Sequence, residues 1–145
     1  MKLDALEQKL KTFTMDELLN SAIRDIEQEV INLNTEDQLY DKGINADGIE
    51  IMSYKPYSPM TVQYKMRKGQ PADRVTLEDT GKFHDLFYII YRTNSIEFKS
   101  SDKKTLTLIP KYGLQVYGLT EDSIAKLREM LKPVLLRKIR NVIWT

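Results

Sequence analysis

The run Leu86-Phe87-Tyr88-Ile89-Ile90-Tyr91-Arg92 restricts this chain more than any other stretch. Aromatic and β-branched residues on both faces suit a strand that is covered on both sides. Thr93-Asn94-Ser95 then turns the chain into a second run at 96–100. Ser101-Asp102-Lys103-Lys104 turns it again into the alternating Thr105-Leu106-Thr107-Leu108-Ile109-Pro110. Turns this short predict antiparallel neighbours, so a β-meander is expected over about 86–109.

A small sheet must be covered by something, and the apolar period on either side of it is helical. Leu3, Leu6 and Leu10 make a short stripe. Thr14 with Glu17 reads as a capping box, and Phe13 can staple onto Leu18. Leu18, Leu19, Ala22, Ile23, Ile26 and Val30 then recur at helical spacing to about residue 33. A second box, Thr35 with Gln38, predicts a short helix ended by Gly43. Thr120 caps the last helix, with Leu119 stapling to Ile124 and Glu121 and Asp122 at its positive end. Ile124, Leu127, Leu131, Leu135 and Ile139 mark its buried stripe, and Pro133 should kink it.

Between these ends the signals are shorter. Residues 45–48 have turn chemistry, and Ile49 and Ile51 alternate as in a short strand. Ser58 as N-cap and Pro59 at the first helical position open a helix that Gly69 closes. "GQPADRV" reads as a flexible loop, and "KYGLQVYGL" as a glycine-punctuated crossing segment. The fold class is therefore α+β: N-terminal helices, a small antiparallel sheet and a C-terminal helix. A single domain is expected over 1–145, with a helical segment at 1–34, an α+β core at 35–120 and a helix at 121–145.

Composition excludes several chemistries. The 145 residues include no cysteine, so thiolate catalysis, disulfides and cysteine metal sites are ruled out. One histidine, His84, cannot form a histidine cluster for zinc, and the six glycines make no phosphate loop. "NADGIE" lacks the spaced carboxylates of a calcium loop. No cofactor, metal or catalytic residue is expected. The net charge of +1 gives no global reason to bind nucleic acid. The first residues carry a charge every few positions and no apolar run long enough for a leader or a membrane span, so a cytoplasmic setting is expected.

One tripeptide could still be chemical. Asp79-Thr80-Gly81 is the sequence that carries the catalytic acid of aspartic proteases, and a short chain can supply half of a homodimeric one. Such an aspartate lies between strands among apolar residues, close enough to a second carboxylate to share a proton. Here Glu78 precedes it, Lys82 and Phe83 follow, and helices occupy both ends of the chain. The expected role of Asp79, Thr80 and Gly81 is a structural turn, in which the first two accept backbone hydrogen bonds and the glycine bends the chain.

Charge is uneven along the sequence. The last helix carries Lys126, Arg128, Lys132, Arg137, Lys138 and Arg140 against Glu121, Asp122 and Glu129. Lys65, Arg67, Lys68 and Arg74 cluster around the "MRKGQPADR" loop. The helix that follows Thr14 is acidic, so opposite charges on successive copies could meet head to tail. Trp144 stands where a chain usually frays, and is expected to fold back or dock into a neighbour. Arg67, Lys68, Arg74, Lys132, Arg137, Lys138 and Trp144 are accordingly the candidate contacts with partner subunits.

Tyr57-Ser58-Pro59, Thr61, Lys65, Lys68-Gly69, Val75-Thr76-Leu77 and Asp79-Thr80-Gly81, with Phe83 two residues on, form a pattern. It resembles the small neck, head–tail-connector and tail-completion proteins of tailed bacteriophages, in particular versions from phages of Bacteroidetes, including crAss-like phages. Tyr112-Gly113 and Tyr117-Gly118 could stand at that group's tyrosine- and glycine-containing crossing segment. The similarity covers about residues 35–120. It implies a non-enzymatic virion part, assembled in the host cytoplasm as a ring of about six or twelve copies. Its implied neighbours are the portal, adjacent neck or tail proteins and DNA passing through the lumen, with no membrane.

Overall fold

The computed structural model describes residue 4 and residues 14–144. The expected stripe of Leu3, Leu6 and Leu10 and the Phe13 staple lie outside the described residues.

The fold is α+β, two strands among helices, with a long helix at the C-terminal side. Helix α1 (Met15–Asp25) starts as its sequence predicts: the Thr14 hydroxyl accepts from the Glu17 N–H at 3.1 Å, and the Glu17 carboxylate accepts from the Thr14 N–H at 3.4 Å. The helical path breaks at Ile26 and resumes as α2 (Glu27–Asn32).

A π-helix, Leu33–Lys42, replaces the expected capped helix at 35. Thr35 does not cap it; its hydroxyl donates to Ile31 O at 3.2 Å, one turn back. Gln38 does not complete a box either, because its amide is engaged elsewhere. The winding has a reason. The buried positions Leu33, Asn34, Thr35, Gln38 and Leu39 would spread over about 240° at α pitch but only about 165° at the wider π pitch. The wider turn collects polar and apolar buried groups on one side. Gly43, at φ +63°, ends the helix as expected.

Residues 45–48 turn as predicted, with the Asn45 carboxamide oxygen accepting from the Asp47 and Ile49 N–H groups. The expected strand at 49–51 is reduced to a single Ile44–Glu50 bridge, and Ile51 opens the one-turn helix α3 (Ile51–Tyr54). Helix α4 (Pro59–Arg67) follows the Ser58 cap, whose hydroxyl accepts from Thr61 N–H at 3.2 Å. "GQPADRV" is tied at several points: the Gln70 side chain donates to Asp79 O, and Arg74 Nε donates to Tyr40 O at 2.7 Å. The short helix α5 (Lys82–Asp85) precedes strand β1 (Phe87–Tyr91).

β1 pairs antiparallel with β2 (Ile96–Ser100), with Phe87 opposite Ser100 and Ile89 opposite Phe98. Phe87 and Ile89 are buried while Tyr88 is exposed, so β1 is not covered on both faces. The third strand of the expected meander is a helix, α6 (Thr105–Tyr112). Its inward residues are Thr105, Leu108, Ile109 and Tyr112, a helical spacing, while Leu106 is 84% exposed. The period-2 alternation of threonine and leucine was therefore no guide to burial.

A short 3₁₀ turn (Leu114–Val116) leads through an extended segment to α7 (Glu121–Trp144). Thr120 caps α7 through Ser123 N–H at 3.2 Å. Leu127, Leu131 and Val134 are its most buried apolar residues, with Ile124, Met130 and Leu135 half-buried beside them. α7 packs on α1. Phe83, Phe87 and Tyr117 pack ring to ring in the core, with Phe83 edge-on to Phe87 at 5.2 Å between centroids.

Candidate functional site

Two polar devices hold the middle of the molecule. The first is carried by the π-helix. Asn34 Nδ2 donates to Val116 O at 3.0 Å, and its oxygen accepts from Gly118 N–H at 2.8 Å. Gln38 Nε2 donates to Gly118 O at 2.9 Å, and its oxygen accepts from Thr120 N–H at 2.9 Å. Both amides are fully buried and both are satisfied, so they stand in for a neighbouring strand along residues 116–120. No local pattern signals this arrangement, because amide side chains on a helix are usually solvated.

The second device is the turn that contains Asp79. Val75, Thr76 and Leu77 are buried. Thr76 N–H donates to the Tyr57 hydroxyl at 3.1 Å, and His84 Nε2 lies 2.9 Å from Thr76 O. A carbonyl can only accept, so that ring nitrogen carries the proton. Glu78 N–H donates to the Thr76 hydroxyl at 3.2 Å, and Lys65 Nζ donates to Glu78 O. These anchors hold Leu77 at φ +58°, a left-handed conformation costly for a branched residue.

Asp79 is met by cations. Lys68 Nζ lies 2.5 Å from one carboxylate oxygen and Lys104 Nζ 3.3 Å from the other, while the Tyr64 hydroxyl donates at 3.3 Å. The Lys68 hydrogen bond, aided by Lys104, pulls the Asp79 carboxyl down to about 2, and Asp79 in turn raises Lys68. A proton-sharing aspartate pair needs one carboxyl raised. Gly81, at φ +89°, leads into α5 and not into a strand. The Thr80 hydroxyl accepts weakly from Lys82 N–H at 3.4 Å. The chain bends at Asp79, Thr80 and Gly81, but the Asp79 carboxylate accepts from the side chains of Lys68, Lys104 and Tyr64 in place of the backbone N–H groups expected of it.

The turn separates two cavities that share Glu78 and Gly81. One, of about 310 Å³, lies between α4, the turn and α6, with Tyr57, Lys65, Phe83, Leu108 and Tyr112 in its wall. The other, of about 630 Å³, is polar and includes Glu36, Asp41, His84 and Asp85. Burial lowers the basicity of His84. Among the described residues no group of histidine and carboxylate side chains is arranged to hold a metal. No helix among them is long and apolar enough to cross a membrane.

The candidate contact residues do not form one surface. Arg67 is exposed at the end of α4, and Lys68 is engaged by Asp79. Arg74 is held inside the fold by Tyr40 O and Asp73, with its guanidinium over the Tyr40 ring. On α7, Lys132 pairs with Glu129 at 2.7 Å, Lys138 with Asp25 at 2.9 Å, and Lys126 with Asp37 at 3.3 Å. The acidic N-terminal side and the basic last helix thus meet partly within one chain. Arg137 is exposed, and the Trp144 side chain lies outside the described residues.

Sequence reasoning missed Tyr57, Lys65 and Tyr112 as neighbours in one wall. The sole hint was Thr61, Lys65 and Lys68 at helical spacing on α4. Comparison with protein families, with characterised proteins and with solved structures finds no match to this chain.

Proposed function

We propose that this chain is a non-enzymatic structural subunit of a tailed-bacteriophage particle, a ring component of the head–tail connector or neck, or a tail-completion protein. The observation that carries the reading is the distribution of exposed apolar side chains. Leu106, Met60, Met66, Leu114 and Leu136 are all more than half exposed, and they sit on α4, α6, the 3₁₀ turn and α7. Tyr64 lies one turn after Met60, so α4 presents a short apolar stripe to solvent. A ring subunit touches a neighbour on each side through two different surfaces, and apolar groups on several elements suit that geometry. The two-stranded sheet adds open edges. The likeness of residues 57–83 to the neck and tail-completion group supports the same class.

Copies of the chain, the portal, neighbouring neck or tail proteins and DNA in the lumen are the partners in this reading. The virion is its place, reached from the host cytoplasm. The test is quantitative mass spectrometry of purified particles, with capsid protein as the internal standard. About six or twelve copies per particle is the expected result for a closed ring. Absence from mature particles would sink the proposal.

A further inference from the structure

The smaller cavity carries two polar side chains whose hydrogen-bonding capacity the fold does not use up. Tyr112 is 6% exposed, lines the cavity, and its hydroxyl has no hydrogen-bond partner among the described residues. The hydroxyl is not sealed off from solvent, so it can bond a group that enters the cavity. Lys65 is also 6% exposed. Its ammonium group donates to the neutral carbonyl of Glu78 and sits over the Tyr57 ring, 5.7 Å from the centroid, with no carboxylate in ion-pair contact. Of the carboxylates near it, Asp79 is paired with Lys68 and Lys104, and Glu78 acts on Lys65 without an ion-pair contact. Burial lowers the basicity of Lys65, the direction expected of a cation that lacks a full counter-charge.

The wall is mixed: Thr61, Tyr64, Glu78, Asp79, Thr80 and Lys104 line it together with an apolar side. Phe83 and Leu77 are buried, and Leu108 comes from α6. The turn that supplies Leu77 is held by Tyr57, His84 and Lys65, so the cavity is formed before anything enters it. Its volume, about 310 Å³, is at the small end of the range for compact organic ligands.

We propose that this cavity binds a small carboxylic acid with a flat apolar body. The carboxylate accepts from Lys65 Nζ and from the Tyr112 hydroxyl, and the body lies against Phe83, Leu77 and Leu108. The site stands independently of the virion role and would serve as a stabilising ligand site in a subunit of any assembly.

The test is calorimetric titration of the full chain with phenylacetate and, separately, with phenylacetamide, its neutral isostere. Phenylacetate should bind saturably, and about tenfold or more tighter than the amide, the ratio expected of charge-assisted hydrogen bonds. Lys65→Met should erase the preference for the acid. Tyr112→Phe should weaken the acid several-fold while leaving the urea midpoint unchanged, because its hydroxyl bonds nothing within the fold. Leu108→Trp, which fills the cavity, should abolish binding of both probes, with a normal circular dichroism spectrum confirming that it folds. Failure of both probes to bind, equal affinity for acid and amide, or binding that survives Leu108→Trp would each overturn the site.

Discussion

Two glycines show how closely single residues are constrained. Gly43 and Gly48 both have positive φ, but a Cβ on Gly43 would lie 2.7 Å from the Arg74 Cβ, while none within 4 Å meets one on Gly48. Gly48→Ala should therefore cost about 1 kcal/mol, the conformational term alone. Gly43→Ala should cost about 2–4 kcal/mol, because steric overlap is added. Urea denaturation of both variants measures the difference. Gln38 is constrained in another way: Gln38→Leu deprives Gly118 O and Thr120 N–H, in a half-buried segment, of their partner, a loss of about 1–3 kcal/mol.

Two titrating groups give stability a pH dependence of known sign. His84 has its basicity lowered from an ordinary value of 6.5, so the unfolded chain binds the proton more readily. Its contribution is fully present above 6.5 and declines as pH falls toward the folded value. His84→Gln should flatten the stability profile in that window. Asp79 is held at about 2 against an ordinary 3.8, so its contribution is present above 3.8 and is lost as pH falls through 2. The carboxylate is 40% exposed, so solvent screening limits Asp79→Asn to about 1 kcal/mol or less at neutral pH. Equilibrium unfolding between pH 2 and 7, compared with wild type, reads both effects.

At the scale of elements, α6 is the clearest test of local pattern against tertiary context. A strand at 105–110 would turn Leu106 and Leu108 to the same face. The helix turns Leu106 outward and Leu108 toward the core. Leu106→Lys should accordingly change stability by no more than about 0.5 kcal/mol, and Leu108→Lys should cost several times as much. Equal large losses in thermal unfolding would favour the strand. The π-helix was equally hidden in the sequence. Its cause is not local propensity but the need to gather Leu33, Asn34, Thr35, Gln38 and Leu39 on one side, where Asn34 and Gln38 meet a segment some 80 residues away. By contrast, the starts of α1, α4 and α7 were legible, because a capping hydroxyl acts within three residues of the backbone it satisfies.

At the scale of the whole molecule, the ion pairs change how the basic last helix should be probed. Lys138→Glu would place like charge against Asp25 inside the chain, so lost assembly could reflect a weakened fold. Arg137 is exposed and has no such partner among the described residues, which makes Arg137→Glu the cleaner variant. If α7 contacts an acidic neighbour or DNA in the particle, Arg137→Glu should lower particle yield while leaving the thermal midpoint of the free chain in place. Normal yields with wild-type copy number would remove α7 from the contact surface.

The sequence by itself determined the α+β class, the starts of α1, α4 and α7, the Gly43 end of the π-helix and the hairpin. Each of these rests on interactions that span a few residues: caps, turns, staples and the period of apolar side chains. Tertiary structure alone decided the π-winding of residues 33–42, the helical state of 105–112, the two lysines on Asp79 and the cavity shared by Tyr57, Lys65 and Tyr112. Those features depend on groups brought together from distant parts of the chain, where burial and unmet hydrogen bonds outweigh local preference. A short-range pattern carries no record of what will lie across from it.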